Sequence, residues 1–143
     1  MNNTNTYHER QSVSDLGEEL FEAWADKKGY QVNRIGFHSK NDSVPNFFNL
    51  SNILRNMPDY ILNTNKKTYV VNVKGTANIK HREIKLLSDL VLCYSSSKAE
   101  LIYAFCFKGQ DPVLMSTDTL LTRFSNAEDK KWHDGVMYRT IEI

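Results

Sequence analysis

Hydrophobic residues near the start of this chain recur at the spacing of an α-helix and then give way to strand-like patterns. Leu16, Leu20 and Trp24 are four residues apart, which places them on one helical face. Gly29 follows this pattern and suits the left-handed residue that commonly ends a helix. We therefore expect a helix over 12–28, with a serine as its N-cap.

The rest of the chain predicts strands and helices joined by polar segments. Runs of β-branched and aromatic residues indicate strands, and apolar residues three or four apart indicate helices. Outside a central hairpin, the segments are strands over 30–37, 99–107, 113–115 and 136–143, helices over 82–94 and 116–126, a connection over 38–56, and a basic, aromatic loop over 130–135. This order of elements predicts an α/β fold.

Two strands joined by a tight turn are predicted over 57–74. The turn is the polar run 64–67, and a loop centred there pairs residue 59 with 72, 61 with 70 and 63 with 68. Asp59 then lies opposite Asn72, and Lys74 projects from the same face of the hairpin. Apolar side chains occupy the other face, which we expect to be the core face.

Length and composition favour a single globular domain. The chain has 143 residues, of which 41% are hydrophobic and 24% are charged. Residues 1–11 are polar, so we expect a disordered N-terminal segment before one domain over 12–143. No apolar run is long enough to cross a membrane and no leader pattern is present, which favours a cytoplasmic protein. Cys93 and Cys106 are expected to be buried free thiols.

Two sequence patterns resemble a known superfamily. Pro58-Asp59, a hairpin and then Asn72-Val73-Lys74 resemble the PD-(D/E)XK nucleases. Gly17-Glu18-Glu19-Leu20, followed by Lys28-Gly29-Tyr30-Gln31-Val32, looks like the start of the archaeal Holliday-junction resolvases and related small bacterial nucleases. The resemblance covers most of the chain. It implies a restriction-endonuclease-like core, with a central mixed β-sheet of four to five strands flanked by helices, and a single nuclease-like domain over 12–143.

The resemblance also implies a divalent-metal site at the hairpin. In the superfamily an Asp and a second acid bind the metal, the intervening peptide oxygen often completes the site, and the Lys positions the attacking water. Here Asp59, Asn72 and the Val73 carbonyl would bind Mg²⁺, with Mn²⁺ as a substitute, and Lys74 would act on the water. Hard oxygen ligands suit Mg²⁺ and phosphodiester hydrolysis. Asn72 stands where the second acid is expected, and its amide brings no negative charge.

A helical glutamate is expected to complete this metal site. Glu18 matches the first-helix glutamate of the superfamily, and Glu19 lies one position away. Glu83, in the first turn of the helix over 82–94, is an alternative that would compensate for Asn72. Each glutamate also has a simpler interpretation, because acidic residues near a helix N-terminus complement the helix dipole.

Positively charged residues near the hairpin are candidates for contacts with DNA phosphates, although solvated surface residues would look the same. The candidates are Arg34, Lys80, His81, Arg82 and Lys85. The resemblance implies a metal-dependent endonuclease whose partner is DNA. A homodimer would suit two cuts across a duplex, and an activating protein subunit is also compatible.

Two other functions fit the sequence. The first is a catalytically impaired nuclease fold that binds nucleic acid or a partner protein, since Asn72 removes one carboxylate. The second is an unrelated α/β interaction domain, in which the polar residues of the hairpin only face solvent.

Overall fold

A computed structural model of the chain describes residues 2–3, 7–35, 57–95 and 98–143, with the side chains of 12–35, 57–92, 94 and 98–143. The helices are α1 (Tyr7–Lys28), α2 (His81–Ser95) and α3 (Thr117–Ser125). The strands are β1 (Asn2–Asn3), β2 (Gln31–Arg34), β3 (Tyr60–Asn63), β4 (Thr68–Lys74), β5 (Asn78–Lys80), β6 (Glu100–Phe105), β7 (Val113–Ser116), β8 (Asp129–Trp132) and β9 (Met137–Thr140). The predicted connection over 38–56 lies outside the described residues.

The central sheet has five strands in the order β2-β3-β4-β6-β7. β4 and β6 are parallel, and the other neighbouring strands are antiparallel, so the sheet is mixed. The parallel pair requires a crossover connection, which β5 and α2 provide. The register of the predicted hairpin is confirmed, because Ile61 pairs with Val70 and Asn63 pairs with Thr68.

α1 covers one face of the central sheet, but the predicted face of Leu16, Leu20 and Trp24 is only partly correct, because Leu16 is 43% exposed and the other two are partly buried. Phe21 and Ala25 are fully buried and pack with Tyr60, Leu62 and Val71 of the hairpin. Burying side chains of this size removes most of their apolar surface from water and contributes roughly 1.5–3 kcal/mol for each large one. The hairpin and α1 therefore form one packed unit.

The bounds of α1 differ from the prediction at one end only. The helix ends at Lys28, before Gly29 with φ of +76°, as expected. It begins at Tyr7, however, so the predicted start at Ser12 or Ser14 is wrong. The chain before residue 12, which we expected to be disordered, contributes β1 and the first residues of α1. No helix in the described part of the chain has the length and apolar character to span a membrane.

The opposite face of the central sheet, which carries the polar residues of the hairpin, is also a core face. α2 and α3 cover this face with a second buried cluster that includes Val70, Leu87, Tyr103 and Leu120. Considered alone, the hairpin gives no sign of these helices. The polar residues of β4 consequently lie at the border of a core rather than on an open surface.

A second, four-stranded sheet has the order β1-β8-β9-β5. β8 occupies part of the segment over 130–135 that was predicted as a loop. β9 lies within the strand predicted over 136–143. The alternating pattern of that segment suits an edge strand, but β9 pairs with both β5 and β8 and is therefore internal. The Trp132 ring stacks on the Tyr138 ring at 4.0 Å, so the aromatic residue of this segment anchors the β8–β9 hairpin.

Candidate active site

Asp59 lies immediately before β3, beside the end of β4. Its backbone N–H donates to the Val71 carbonyl at 2.9 Å, which extends the register of the hairpin and places Asp59 opposite Asn72. The Val73 N–H donates to Asp59 Oδ2 at 2.8 Å. Since the N–H and C=O of one strand residue point to the same edge, the Val73 carbonyl faces the Asp59 side of β4 as well.

α1 brings Glu18 to the same place through a close contact between two glycines. A Cβ added to Gly17 would lie 3.0 Å from the Gly75 Cα, and one added to Gly75 would lie 2.3 Å from the Val13 carbonyl oxygen. Only residues without side chains allow the helix to approach the end of β4 this closely. Glu18 follows Gly17 directly and is only 6% exposed, whereas Glu19 is exposed.

Arg34 is the counter-ion of Glu18. The Arg34 guanidinium donates to Glu18 Oε2 at 3.2 Å and to the Tyr60 hydroxyl at 2.8 Å, and Glu22 lies 3.9 Å from it. The neighbouring acids raise the pKa of Arg34 although burial alone would lower it. A buried carboxylate needs such a partner, because an unpaired charge away from water is strongly unfavourable. Arg34, predicted to contact DNA, is thus directed toward the glutamate.

Burial, followed by the negative charge of Glu18, raises the pKa of Asp59 to about 7. The hydrogen bond from the Val73 N–H and the positive charges of Lys74 and Arg34 act against this increase. A carboxyl whose ionised form is disfavoured by a neighbouring negative charge lies where a cation would be attracted.

Asn72 is held by a tyrosine on the neighbouring parallel strand. Asn72 and Tyr103 are paired residues of β4 and β6, and their side chains are hydrogen-bonded. Tyr103 is almost fully buried, and burial together with the negative charges of Glu83 and Asp59 raises the pKa of its phenol. The amide of residue 72 is therefore fixed among the acidic groups of the site.

Lys74 ends β4 and is paired with Glu83 of α2. Lys74 Nζ donates to Glu83 Oε1 at 2.9 Å, and the two side chains are 17% and 19% exposed. Lys74 also contributes an electrostatic interaction with Asp59. The structure thus places Asp59, Asn72, Lys74 and Glu83 on one side of the sheet, with Glu18 next to Asp59.

The acidic groups fit a hard divalent cation with few protein ligands. Glu18 lies close enough to Asp59 for its charge to act on that carboxyl. Mg²⁺ in proteins is commonly held by one or two carboxylates while several of its waters remain. No group of three or more His, Cys, Asp or Glu side chains in the described ranges is arranged to hold a metal. The site therefore offers two carboxylates, and its further oxygen donors are the Asn72 amide and the Val73 carbonyl.

The residues predicted to contact DNA have different environments. His81 Nε2 lies 2.7 Å from Asp129 Oδ1, so it joins α2 to β8. The Lys80 ammonium lies 5.9 Å from the centre of the Trp132 ring. Arg82 and Lys85 are exposed on α2. Of the five candidates, these two have the environment expected for phosphate contacts.

Sequence reasoning missed two of the partners in this site. Tyr103 lies in the apolar strand predicted over 99–107, where a tyrosine needs a partner for its hydroxyl. Asp129, whose Oδ1 lies 2.7 Å from both His81 Nε2 and Arg139 Nε, directly precedes the segment predicted as a loop over 130–135. The pairing of Tyr103 with Asn72 and of Asp129 with His81 has no local signal, because the partners are distant in sequence.

Comparison with solved structures finds chains of similar fold. The structure of Hjc, a Holliday junction resolvase from the archaeal hyperthermophile Archaeoglobus fulgidus, superposes with a TM-score of 0.51. The match covers 87% of this chain and 85% of the archaeal chain, at 12% sequence identity.

The chain has a restriction-endonuclease-like fold. This confirms the predicted fold class, a mixed β-sheet flanked by helices. At this level of identity the likeness concerns the fold alone. No protein-family model matches the chain, and no curated protein matches it. In this restriction-endonuclease-like fold, the hairpin that contains Asp59 and Lys74 lies in the middle of the sheet.

Proposed function

We propose that this protein is a divalent-metal-dependent endonuclease that hydrolyses phosphodiester bonds of DNA. Mg²⁺ is the expected ion, and Mn²⁺ the expected substitute. Glu18 and Asp59 would hold the cation, together with the Asn72 amide oxygen and the Val73 carbonyl. A bound cation of this kind would lower the pKa of a water and stabilise the charge that develops on the phosphate.

The residues of the chain have separate roles in this proposal. The Val73 N–H holds one oxygen of Asp59, so the carboxylate cannot rotate freely. Arg34 holds Glu18 in the same way from the other side. Lys74 brings a positive charge to the side of Asp59, where it would orient the attacking water and stabilise negative charge on the phosphate.

One observation supports the proposal most strongly. A buried glutamate from α1 lies close enough to Asp59 to raise the pKa of Asp59, with Lys74 on the same edge. The negative charge of Glu18 disfavours the ionised form of Asp59, and a bound cation would favour that form. Such an arrangement needs a reason, and binding of a metal ion supplies one.

The test is nicking of supercoiled plasmid with Mg²⁺ and with Mn²⁺. Wild type is expected to cut, whereas Asp59→Ala and Lys74→Ala are expected to abolish cutting. Asp111→Ala and Lys108→Ala are matched controls, because they remove the same charges from exposed positions. Equal cutting by wild type and Asp59→Ala, or a cutting activity that does not require the metal, would contradict the proposal.

A second candidate function is a binding module that has lost catalysis. Asn72 favours it, since an amide in place of a carboxylate weakens attraction for Mg²⁺. In the same assay this protein would shift DNA in a gel without nicking it. Retention of Lys74 beside Asp59 favours the nuclease, because a cation in this position serves no evident purpose in a binding module.

One solved structure of similar fold is that of a Holliday junction resolvase, so a four-way DNA junction is the first structured substrate to test. A homodimer would present two sites to opposite strands of such a junction. An activating protein subunit is the other partner that this proposal includes. Sedimentation of the free protein and of its junction complex distinguishes a dimer from a monomer.

A further inference from the structure

Lys74 and Glu83 form an ion pair that is mostly removed from water. Their Nζ and Oε1 atoms lie 2.9 Å apart, and less than a fifth of each side chain is exposed. Exposed ion pairs are weak because water and salt screen them, but this pair is largely shielded. Loss of one partner would leave the other charge poorly solvated. The ammonium of Lys74 is therefore held in one position.

The second carboxylate oxygen of Glu83 is also engaged. The Lys80 backbone N–H donates to Glu83 Oε2 at 3.1 Å. Since α2 begins at His81, Lys80 is the N-cap and Glu83 the third helical residue, which is one half of a capping box. Lys74 and Lys80 hold the pKa of the Glu83 carboxyl below its usual range although burial acts in the opposite direction.

We propose that Glu83 is a positioning residue that holds the Lys74 ammonium beside Asp59, and that it is not a metal ligand. The inference rests on the proposed nuclease function. To bind a cation, Glu83 would have to release Lys74 or the start of α2, because each of its oxygens already accepts a hydrogen bond. The first turn of α2 thereby sets the direction of the lysine that would act on the attacking water.

The test compares Glu83→Gln, Lys74→Met and the double variant in DNA cleavage under single-turnover conditions, with Mn²⁺ affinity measured by calorimetry. Glutamine keeps an oxygen for the Lys80 N–H but loses the charge that holds Lys74. We expect cleavage to fall by about 10- to 100-fold with Mn²⁺ affinity within about twofold of wild type. The double variant is expected to be no slower than Lys74→Met, because coupled residues are not additive.

Glu128→Gln, at an exposed carboxylate, is the control and should leave cleavage and Mn²⁺ affinity unchanged. A loss of Mn²⁺ affinity of about tenfold or more in Glu83→Gln would show a metal ligand and overturn the proposal. Full additivity in the double variant would also overturn it. If Glu83→Gln does not fold, Glu83→Asp takes its place, because aspartate keeps the negative charge on a shorter side chain. A normal rate of DNA cleavage in Glu83→Asp, with Lys74 displaced, would contradict the proposal.

A readout without metal or DNA separates this proposal from the proposed function. Acetic anhydride modifies free lysine amines, and mass spectrometry gives the rate at each lysine. We expect Lys74 to react severalfold faster in Glu83→Gln than in wild type, with no change at the exposed Lys66. If wild type does not cut DNA but Lys74 behaves this way, the nuclease proposal fails and the positioning contact stands. An unchanged rate at Lys74 overturns the positioning role.

Discussion

At the scale of single residues, Asp59 has the most informative environment. Its pKa is about 7 in the folded chain and about 3.9 in an unfolded one, so the folded state binds the extra proton between these values. The metal-free protein should therefore lose stability as the pH rises through this window. The expected decrease in the free energy of unfolding from about pH 5 to about pH 8 is on the order of 2–3 kcal/mol.

Urea unfolding in the presence of EDTA at the two pH values measures this change. Asp59→Asn should remove most of the pH dependence, because the amide still accepts the Val73 N–H but does not titrate in this range. Asp111→Asn, an exposed position, should retain it. If Asp59→Asn shows the same pH dependence as wild type, Asp59 is not the buried group described above.

Substitution of Asn72 by aspartate is expected to increase metal affinity rather than to reduce it. Asn72→Asp restores a third carboxylate next to Asp59 while changing one atom, so it should bind Mn²⁺ on the order of tenfold more tightly. DNA cleavage should be preserved or increased. Calorimetry and the plasmid assay measure the two effects. If Asn72→Asp loses all cleavage and binds Mn²⁺ no more tightly than wild type, residue 72 does not lie at the cation.

Single residues also show how far the sequence alone could lead. Asp59 and Lys74 could be selected because the turn over 64–67 fixes a register, and register determines which side chains share a face. The sequence does not reveal Arg34 as the partner of Glu18, because the two residues lie on different elements, β2 and α1, and meet only when these pack together. The positive charge of Arg34 suggested a contact with DNA, but its guanidinium donates a hydrogen bond to the Glu18 carboxylate of the same chain.

At the scale of elements, the contact between α1 and the end of β4 should not tolerate a methyl group. In Gly75→Ala the new Cβ would lie 2.3 Å from the Val13 carbonyl oxygen, so helix or strand must move. Overpacking of this kind costs about 1–3 kcal/mol. Glu18 follows Gly17 on α1, so a shift of the helix away from β4 would also displace the Glu18 carboxylate. Mn²⁺ affinity should therefore fall together with the free energy of unfolding.

Gly17→Ala is the companion variant for this contact. Its Cβ would lie 3.0 Å from the Gly75 Cα, a milder overlap, and alanine favours the helix by about 1 kcal/mol relative to glycine. A smaller loss of stability is expected than for Gly75→Ala. If Gly75→Ala is as stable as wild type in urea unfolding, α1 does not lie against β4 as described.

The elements themselves were largely predictable, because their signals are local. Ser116, at the start of the helix predicted over 116–126, accepts a hydrogen bond from the Thr119 N–H as the N-cap of α3, and Gly29 adopts the positive φ expected of a helix end. The start of α1 at Tyr7 was missed. Residues 7–11 have few apolar side chains, so an amphipathic pattern could not extend to them.

At the scale of the whole molecule, a net charge of +1 means that any DNA-binding surface depends on local clusters of charge. Arg82 and Lys85 are exposed on α2, which starts at the Lys74–Glu83 pair. Replacing either by alanine should weaken DNA binding and reduce the slope of log affinity against log salt by about one. Lys98→Ala, also exposed but beyond the other end of α2, should leave the slope unchanged. Equal slopes for all three variants would exclude this helix from the DNA interface.

The arrangement of the two sheets was the part of the molecule least accessible from sequence. β5 has three residues and β8 begins in a charged segment, so neither has a clear strand pattern. The pairing of β5 with β9 depends on a partner about 60 residues away, a long-range property that no local pattern contains.

The central claim is that Glu18 and Asp59 together hold one divalent cation, and a Mn²⁺ titration followed by electron paramagnetic resonance tests it most directly. We expect wild type to bind one Mn²⁺, Asp59→Ala and Glu18→Gln each to lose that binding, and Lys74→Ala to retain it. Unchanged Mn²⁺ binding in both carboxylate variants, or none in wild type, would contradict the account.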